Sequence, residues 1–119
     1  MDNLGTSLTR EEKTWGFLCH LTSLSGFIVP FGNIIGPLMV WLLRKDSSSY
    51  VDSNGKESLN FQVNLTTFLV GIFLFLPYGI KYKLLAVLGV YGVICVAVAT
   101  LKSLKGLTFR YPLALRLIR

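Results

Sequence analysis

The sequence has 119 residues, of which 52% are hydrophobic and 15% are charged, with a net charge of +6. A soluble globular domain carries about 25% charged residues, so the composition excludes an ordinary water-soluble domain and indicates a membrane protein. The length fits one domain. The positive charge does not indicate nucleic-acid binding, because the basic residues flank apolar segments and do not alternate with aromatic residues on a polar surface.

The first apolar segment, from Trp15 to Leu43, contains no charged residue unless His20 is protonated. Pro30 to Asn33 combine a helix breaker with turn formers, a pattern that disfavours a single straight helix. The sequence predicts a hairpin of two short helices, the first ending near Val29 and the second near Leu43. Each helix is roughly 15 to 22 Å long, against a hydrocarbon core of about 30 Å. The hairpin therefore either crosses a thin bundle fully or is re-entrant.

Gly32 and Gly36 in this hairpin have the small-xxx-small spacing of membrane helix contacts. Gly32 and Asn33 fall in the predicted turn, however. We therefore expect a tight turn here in preference to a helix contact.

A polar loop is predicted over residues 44–56, followed by the third helix. Asn54 and Glu57 have the spacing of a capping box, which predicts the helix start near Asn54. Its apolar run extends from Leu59 to about Ile80, where Pro77 to Gly79 end it. A fourth helix is predicted from Leu84 to Leu101, which is just long enough to cross a membrane.

These segments define the expected architecture, an all-α integral membrane bundle of about four short helices. Residues 1–14 form a polar N-terminal segment and residues 15–108 the transmembrane domain. Residues 109–119 form a basic tail in which basic, aromatic and aliphatic residues alternate, a pattern typical of segments in the headgroup region.

The basic residues predict the orientation of the chain in a bacterial plasma membrane, with several crossings. The polar loop and the tail carry most of them, whereas the turn between the last two helices has Lys81 and Lys83. The richer side should be cytoplasmic, which places the C-terminus inside. The candidate headgroup contacts are Arg44, Lys45, Lys102, Lys105, Arg110, Arg116 and Arg119.

A polar stripe enters the third helix, because spacings of three and four place Glu57, Asn60 and Asn64 on one face. Such groups are costly against lipid, so we expect the stripe to face the first hairpin. It is either a solvated helix start with interhelical hydrogen bonds, or a path for a ligand or an ion. The candidate intramembrane polar cluster consists of His20, Asn33, Glu57, Asn60 and Asn64.

His20 is the sole histidine of the sequence and lies in the first predicted helix. It is either a hydrogen-bonded structural residue or a proton-linked one. Glu57 and Asn60 are its candidate partners, because both begin a helix expected to pack on the hairpin.

The sequence offers no pattern for catalysis. It has no Gly-rich phosphate loop, zinc-ligand spacing or nucleophile elbow, and Asp52 with Glu57 is too weak a constellation. We predict a protein that is not an enzyme, with no cofactor and no metal ligands.

Several short motifs occur in one order along the chain. They are Cys19-His20-Leu21, Pro30-Phe31-Gly32-Asn33-Ile34-Ile35-Gly36-Pro37, Val51-Asp52-x-x-Gly55-Lys56-Glu57-x-x-Asn60-Phe61-Gln62 and Arg110-Tyr111-Pro112. In these the chain resembles a widespread family of small bacterial membrane proteins of unknown function. That family is similar to the Tic-twenty component of the chloroplast inner-envelope protein translocon. The resemblance implies a four-helix membrane domain and supplies no reaction.

Three functions follow as hypotheses. The leading one is a non-enzymatic accessory or assembly module that contacts the lipid bilayer and binds another membrane protein or itself. The alternatives are a polar path for transport or translocation, and immunity to a membrane-active peptide. No nucleic-acid partner is expected, and a small-molecule ligand is left open.

Overall fold

The computed structural model describes residues 8–112 and 115–118, and all the regular structure in this part of the chain is helical. The helices are α1 (Arg10–Leu21), a 3₁₀-helix (Thr22–Phe27), α2 (Gly32–Arg44), α3 (Ser49–Phe75) and α4 (Tyr78–Leu104). The predicted all-α bundle of four helices is confirmed. Only the first two α-helices are short, however, since α3 and α4 have 27 residues each and are long and apolar enough to cross a membrane.

Helix α1 begins earlier than the apolar pattern predicted. Thr9 is its N-cap and forms a capping box with Glu12, in which each side chain bonds the other residue's backbone N–H. This cap extends the helix through charged residues that the prediction assigned to the polar N-terminal segment.

The broken hairpin is confirmed, with a turn at residues 28–31 in which Phe31 has a left-handed φ of 61°. The prediction was wrong about Gly32 and Asn33, which are the first residues of α2 and not part of the turn. A Cβ atom on Gly32 would lie 2.7 Å from the Ser25 carbonyl oxygen, and one on Gly36 would collide with the Thr22 carbonyl oxygen. The two glycines therefore form a close helix contact within the chain, where we had expected only a turn.

Helix α3 begins at Ser49, because the Ser48 hydroxyl caps it by accepting from the Tyr50 N–H at 3.2 Å. The capping box predicted at Asn54 and Glu57 is wrong, since both residues are buried inside the helix. The predicted polar loop shrinks accordingly to the few residues after α2.

The connection between α3 and α4 is also tighter than predicted. Helix α3 ends at Phe75, and Pro77 is the N-cap of α4. Proline has no N–H with which to continue the hydrogen bonding of α3, and its fixed φ suits the start of a helix. Pro77 therefore favours both the end of α3 and the start of α4. Lys81 and Lys83 therefore lie in the first turns of α4 and not in a turn between helices.

The buried residues lie at one end of the bundle. In α3 they fall between Tyr50 and Gln62, and in α4 between Gly92 and Ser103. No residue from Val63 to Tyr91 is buried. We call residues 63–91, which form the second half of α3 and the first half of α4, the arm. We call the opposite end of the bundle, which contains the buried residues, the core end.

Candidate functional site

His20 is at the centre of the core end and is completely buried. Its Nδ1 lies 2.7 Å from the Tyr111 hydroxyl and its Nε2 lies 2.8 Å from Asn54 Oδ1. The Asn54 amide nitrogen donates to the Tyr50 carbonyl oxygen at 2.9 Å, so Oδ1 is the atom that faces His20. Nε2 must therefore carry the proton and donate it to Asn54, while Nδ1 accepts from the Tyr111 O–H.

This arrangement favours a neutral imidazole. Burial lowers the pKa of His20 to about 4, and the hydrogen bond with Asn54 opposes that shift. His20 belongs to α1, which is not one of the two helices long enough to cross a membrane. The partners predicted for His20 were wrong, since neither Glu57 nor Asn60 bonds it. The actual partners come from α3 and from the C-terminal segment, by which we mean residues 109–112 and 115–118, the described part of the predicted tail.

Tyr111 anchors the C-terminal segment to the bundle. Its ring stacks on Phe61, with centroids 4.3 Å apart and an interplanar angle of 21°. Its backbone N–H donates to Glu57 Oε1 at 3.0 Å. Burial raises the pKa of the Tyr111 hydroxyl, so this group remains a hydrogen-bond donor to His20.

The predicted stripe of Glu57, Asn60 and Asn64 does share one face of α3, but that face binds the C-terminal segment. Asn60 donates to the Ile118 carbonyl oxygen at 2.9 Å and accepts from the Ile118 N–H at 2.8 Å. Asn64 donates to the Leu115 carbonyl oxygen at 3.1 Å. The expectation that the stripe faces the first hairpin is therefore wrong.

Arg116 completes this contact. Its Nε lies 3.2 Å from Glu57 Oε2, and its Nη2 donates to the Tyr111 carbonyl oxygen at 3.1 Å. The guanidinium thus neutralises the Glu57 carboxylate and turns the chain back over Tyr111. The C-terminal segment is a packed part of the core end. The sequence predicted that this segment lies in the headgroup region, and that placement stays a prediction.

A second polar face of α3 contacts the hairpin. Asn33 donates through Nδ2 to Gln62 Oε1 at 2.9 Å and to Thr66 Oγ1 at 2.8 Å. Asn33 was predicted to belong to the polar cluster, whereas Gln62 and Thr66 were not. A signal was available, because Asn54, Gln62 and Thr66 are spaced by multiples of four and so share a helical face.

The structure describes six of the seven predicted headgroup contacts, and Arg119 lies outside the described residues. Lys105 and Arg110 are exposed. Three others lie over aromatic rings, at 4.2 to 5.5 Å from the ring centroids: Arg44 over Trp15, Lys45 over Trp41, and Lys102 over Phe109. Tryptophan beside a cation is typical of a membrane interface. The headgroup contacts themselves stay predictions.

No group of three His, Cys, Asp or Glu residues within residues 8–112 and 115–118 is placed to hold a metal ion. Cys19 and Cys95 are free and buried.

A model of the magnetosome magnetite crystal formation protein family matches residues 11–118, nearly the whole chain. No curated protein and no solved structure matches it. These comparisons support a small bacterial membrane-protein family, and they do not show the predicted similarity to the Tic-twenty component.

Proposed function

We propose that this chain, which belongs to the magnetosome magnetite crystal formation protein family, is a non-enzymatic membrane module that binds other membrane proteins or further copies of itself. The family description names magnetite crystal formation. For this chain we propose that the contribution is made by contact with other membrane proteins. The membrane is the plasma membrane, as the sequence predicted, or the magnetosome membrane that the family description indicates.

The arm is the observation that carries this proposal. Its helices contact each other, and large apolar side chains stand out from them, with Phe75 83% exposed and Val87 67% exposed. Between membrane helices, association depends on van der Waals packing and on hydrogen bonds, because lipid is as apolar as the side chains. An arm of two helices offers such a packing surface to further helices, whereas the core end is already closed by α1, α2 and the C-terminal segment.

The ends of the molecule support a full crossing by α3 and α4. Lys45 lies over Trp41 at the core end. The opposite end has a Tyr78–Tyr82 ring pair, and Lys81 lies over the Phe73 ring. The part of α3 from Lys56 to Phe75 is about 20 residues, or roughly 30 Å, the thickness of a hydrocarbon core. We propose that the core end is cytoplasmic, because most basic residues are there.

Orientation is tested by labelling single cysteines at Ser47 and Leu117, both exposed, with a membrane-impermeant thiol reagent. Native Cys19 and Cys95 are buried and provide a low background. Both positions should react from the cytoplasmic side. Reaction of the two from opposite sides would refute the topology.

Partner binding is tested with a photo-crosslinking amino acid at Val87 in the arm, and at Leu101 as the matched control. Leu101 is on the same helix and is 61% exposed, but it lies at the core end. In native membranes Val87 should give discrete protein adducts, and mass spectrometry distinguishes a second copy from another protein. If Val87 gives no more protein adduct than Leu101, the arm is not a protein-binding surface.

We do not propose the transport path. Its candidate residues, Glu57, Asn60 and Asn64, are hydrogen-bonded to the C-terminal segment. No contact among the described residues favours immunity to a membrane-active peptide.

A further inference from the structure

A polar cavity with a volume of about 370 Å³ lies at the core end, between the first part of α3 and the C-terminal segment. Three cations line it, Lys56 from α3 and Arg110 and Arg116 from the C-terminal segment, together with one carboxylate, that of Glu57. An excess of positive charge in a concave site attracts anions. The cavity is therefore a candidate anion site, and no residue of the arm belongs to it.

The Glu57 carboxylate is turned to protein groups and not to a ligand. Its Oε1 accepts from the Tyr111 N–H at 3.0 Å, and its Oε2 lies 3.2 Å from Arg116 Nε. Glu57 and Arg116 thus form a pair of opposite charges within the protein. The excess positive charge of the cavity comes from Lys56 and Arg110.

Lys56 and Arg110 also have hydrogen-bond donors to offer. The Lys56 ammonium has three N–H groups. Asp52 Oδ2, at 3.0 Å, accepts from this ammonium and offsets part of its charge. The Arg110 side chain is exposed, and no ion pair or hydrogen bond joins its guanidinium to another group within residues 8–112 and 115–118. The cavity therefore suits an anion that accepts hydrogen bonds from two sides.

The depth of the cavity in the membrane indicates which anion this is. The hydrocarbon core proposed above begins at Lys56. Ser53, which also lines the cavity, precedes Lys56 by three residues and so lies roughly 4.5 Å farther out along the helix. The headgroup layer is about 5 to 8 Å thick on each side of the hydrocarbon core, so the outer part of the cavity falls where the phosphates of phospholipids lie. Arginine suits a phosphate group because its planar fork can donate two parallel hydrogen bonds.

We propose that this cavity binds one phosphate group, which accepts hydrogen bonds from Lys56 and Arg110 while Arg116 adds positive charge. Arg110 and Arg116 are among the predicted headgroup contacts, whereas Lys56 is not. The phosphate belongs to an anionic phospholipid or is a free phosphate ion. The inference goes beyond the proposed function, because it concerns the core end and is tested on single chains without a protein partner.

Binding of single ligands is measured by native mass spectrometry of the purified full chain in detergent. The probes are phosphatidylglycerol, diacylglycerol with the same acyl chains, and inorganic phosphate. Phosphatidylglycerol should bind more tightly than diacylglycerol, which lacks the phosphate. If inorganic phosphate at millimolar concentration displaces phosphatidylglycerol, the phosphate group alone is sufficient as the ligand. If it does not, the site takes the phosphate of a lipid.

Arg110→Gln removes one cation of the cavity, and Lys105→Gln is the matched control. Lys105 is also exposed and follows the end of α4, outside the cavity. Both variants lose one positive charge, and equal melting temperatures show that both are folded. Arg110→Gln should weaken the binding of phosphatidylglycerol about fivefold, as expected for one basic residue against an anionic lipid. Lys105→Gln should weaken it less, because salt screens exposed charges that do not contact the ligand.

Asp52→Asn tests Lys56 without removing it. Asparagine keeps an oxygen for the Trp41 Nε1–H, which donates to Asp52 Oδ1 at 2.8 Å, but it carries no charge to offset that of Lys56. Phosphatidylglycerol should bind about two- to fivefold more tightly, the range expected for the loss of a partly exposed competing ion pair. Asp46→Asn is the matched control, since Asp46 is exposed and outside the cavity, and its effect should be smaller.

Three results would overturn the proposal. The first is equal affinity for phosphatidylglycerol and diacylglycerol, which would mean that the phosphate is not recognised. The second is an equal loss of binding in Arg110→Gln and Lys105→Gln, which would mean that only the total charge matters. The third is a gain in Asp52→Asn that is no greater than the gain in Asp46→Asn, which would remove Lys56 from the site.

Discussion

The Tyr111→Phe substitution isolates the hydrogen bond at the centre of the core end. The ring remains and still stacks on Phe61, and the backbone N–H still bonds Glu57. Only the O–H that donates to His20 Nδ1 is removed, which leaves a fully buried acceptor without a partner. Such an acceptor costs about 1 to 3 kcal/mol. At roughly 4 °C per kcal/mol for a chain of this size, the melting temperature should fall by about 4 to 12 °C.

Thermal unfolding of the purified protein measures this loss, and Tyr82→Phe provides the matched control. Tyr82 is half exposed, and its hydroxyl has no hydrogen-bond partner among the described residues. Its removal should change stability by less than about 0.5 kcal/mol. If Tyr111→Phe and Tyr82→Phe unfold at the same temperature, the assignment of the Tyr111–His20 bond is wrong.

Three further predictions concern neighbouring features. The pKa of His20 is lowered from 6.5 to about 4 in the folded protein. Its contribution to stability is therefore complete above pH 6.5 and should be lost as the pH falls toward 4. Melting temperatures measured over a pH series should show this decline for the wild type and not for His20→Gln. Gly36→Ala should destabilise the protein, because the added Cβ collides with the Thr22 carbonyl oxygen. The control Gly71→Ala, where a Cβ meets no atom, should be neutral or stabilising by up to about 1 kcal/mol. Unfolding curves of the two variants measure the difference. Glu57→Gln removes the ion pair with Arg116 and should speed tryptic cleavage after the exposed Arg110; an unchanged cleavage rate would show that the pair does not hold the C-terminal segment.

The sequence predicted the hairpin because the break has a local cause. Pro30 lacks an N–H and disfavours helix at the residue before it, so the interruption can be inferred without knowing what packs nearby. The start of α3 could not be inferred in the same way. Ser48 and Asn54 are both good N-cap residues, and the choice between them is made by the burial of Tyr50 and Val51 against the rest of the core end. That burial is a tertiary effect.

The polar stripe shows a different limit. The rule that amides and carboxylates need partners in a membrane correctly implied that Glu57, Asn60 and Asn64 are covered. It did not say by what. The hairpin was the nearest candidate, but its own polar side chains, His20 and Asn33, are already matched to the neighbouring face of α3 through Asn54 and Gln62.

The C-terminal segment is the partner, and its alternating pattern concealed this. Basic, aromatic and aliphatic residues in turn are typical of a segment lying at the membrane surface. The same alternation also suits a segment that packs with one side on the protein, since Arg110 is exposed while Tyr111 is only 1% exposed. Both arrangements place cations outward and aromatics inward, so composition does not separate them. The deciding interaction is the match between Tyr111 and His20, 91 residues apart in the chain, and no local pattern encodes a contact of that separation.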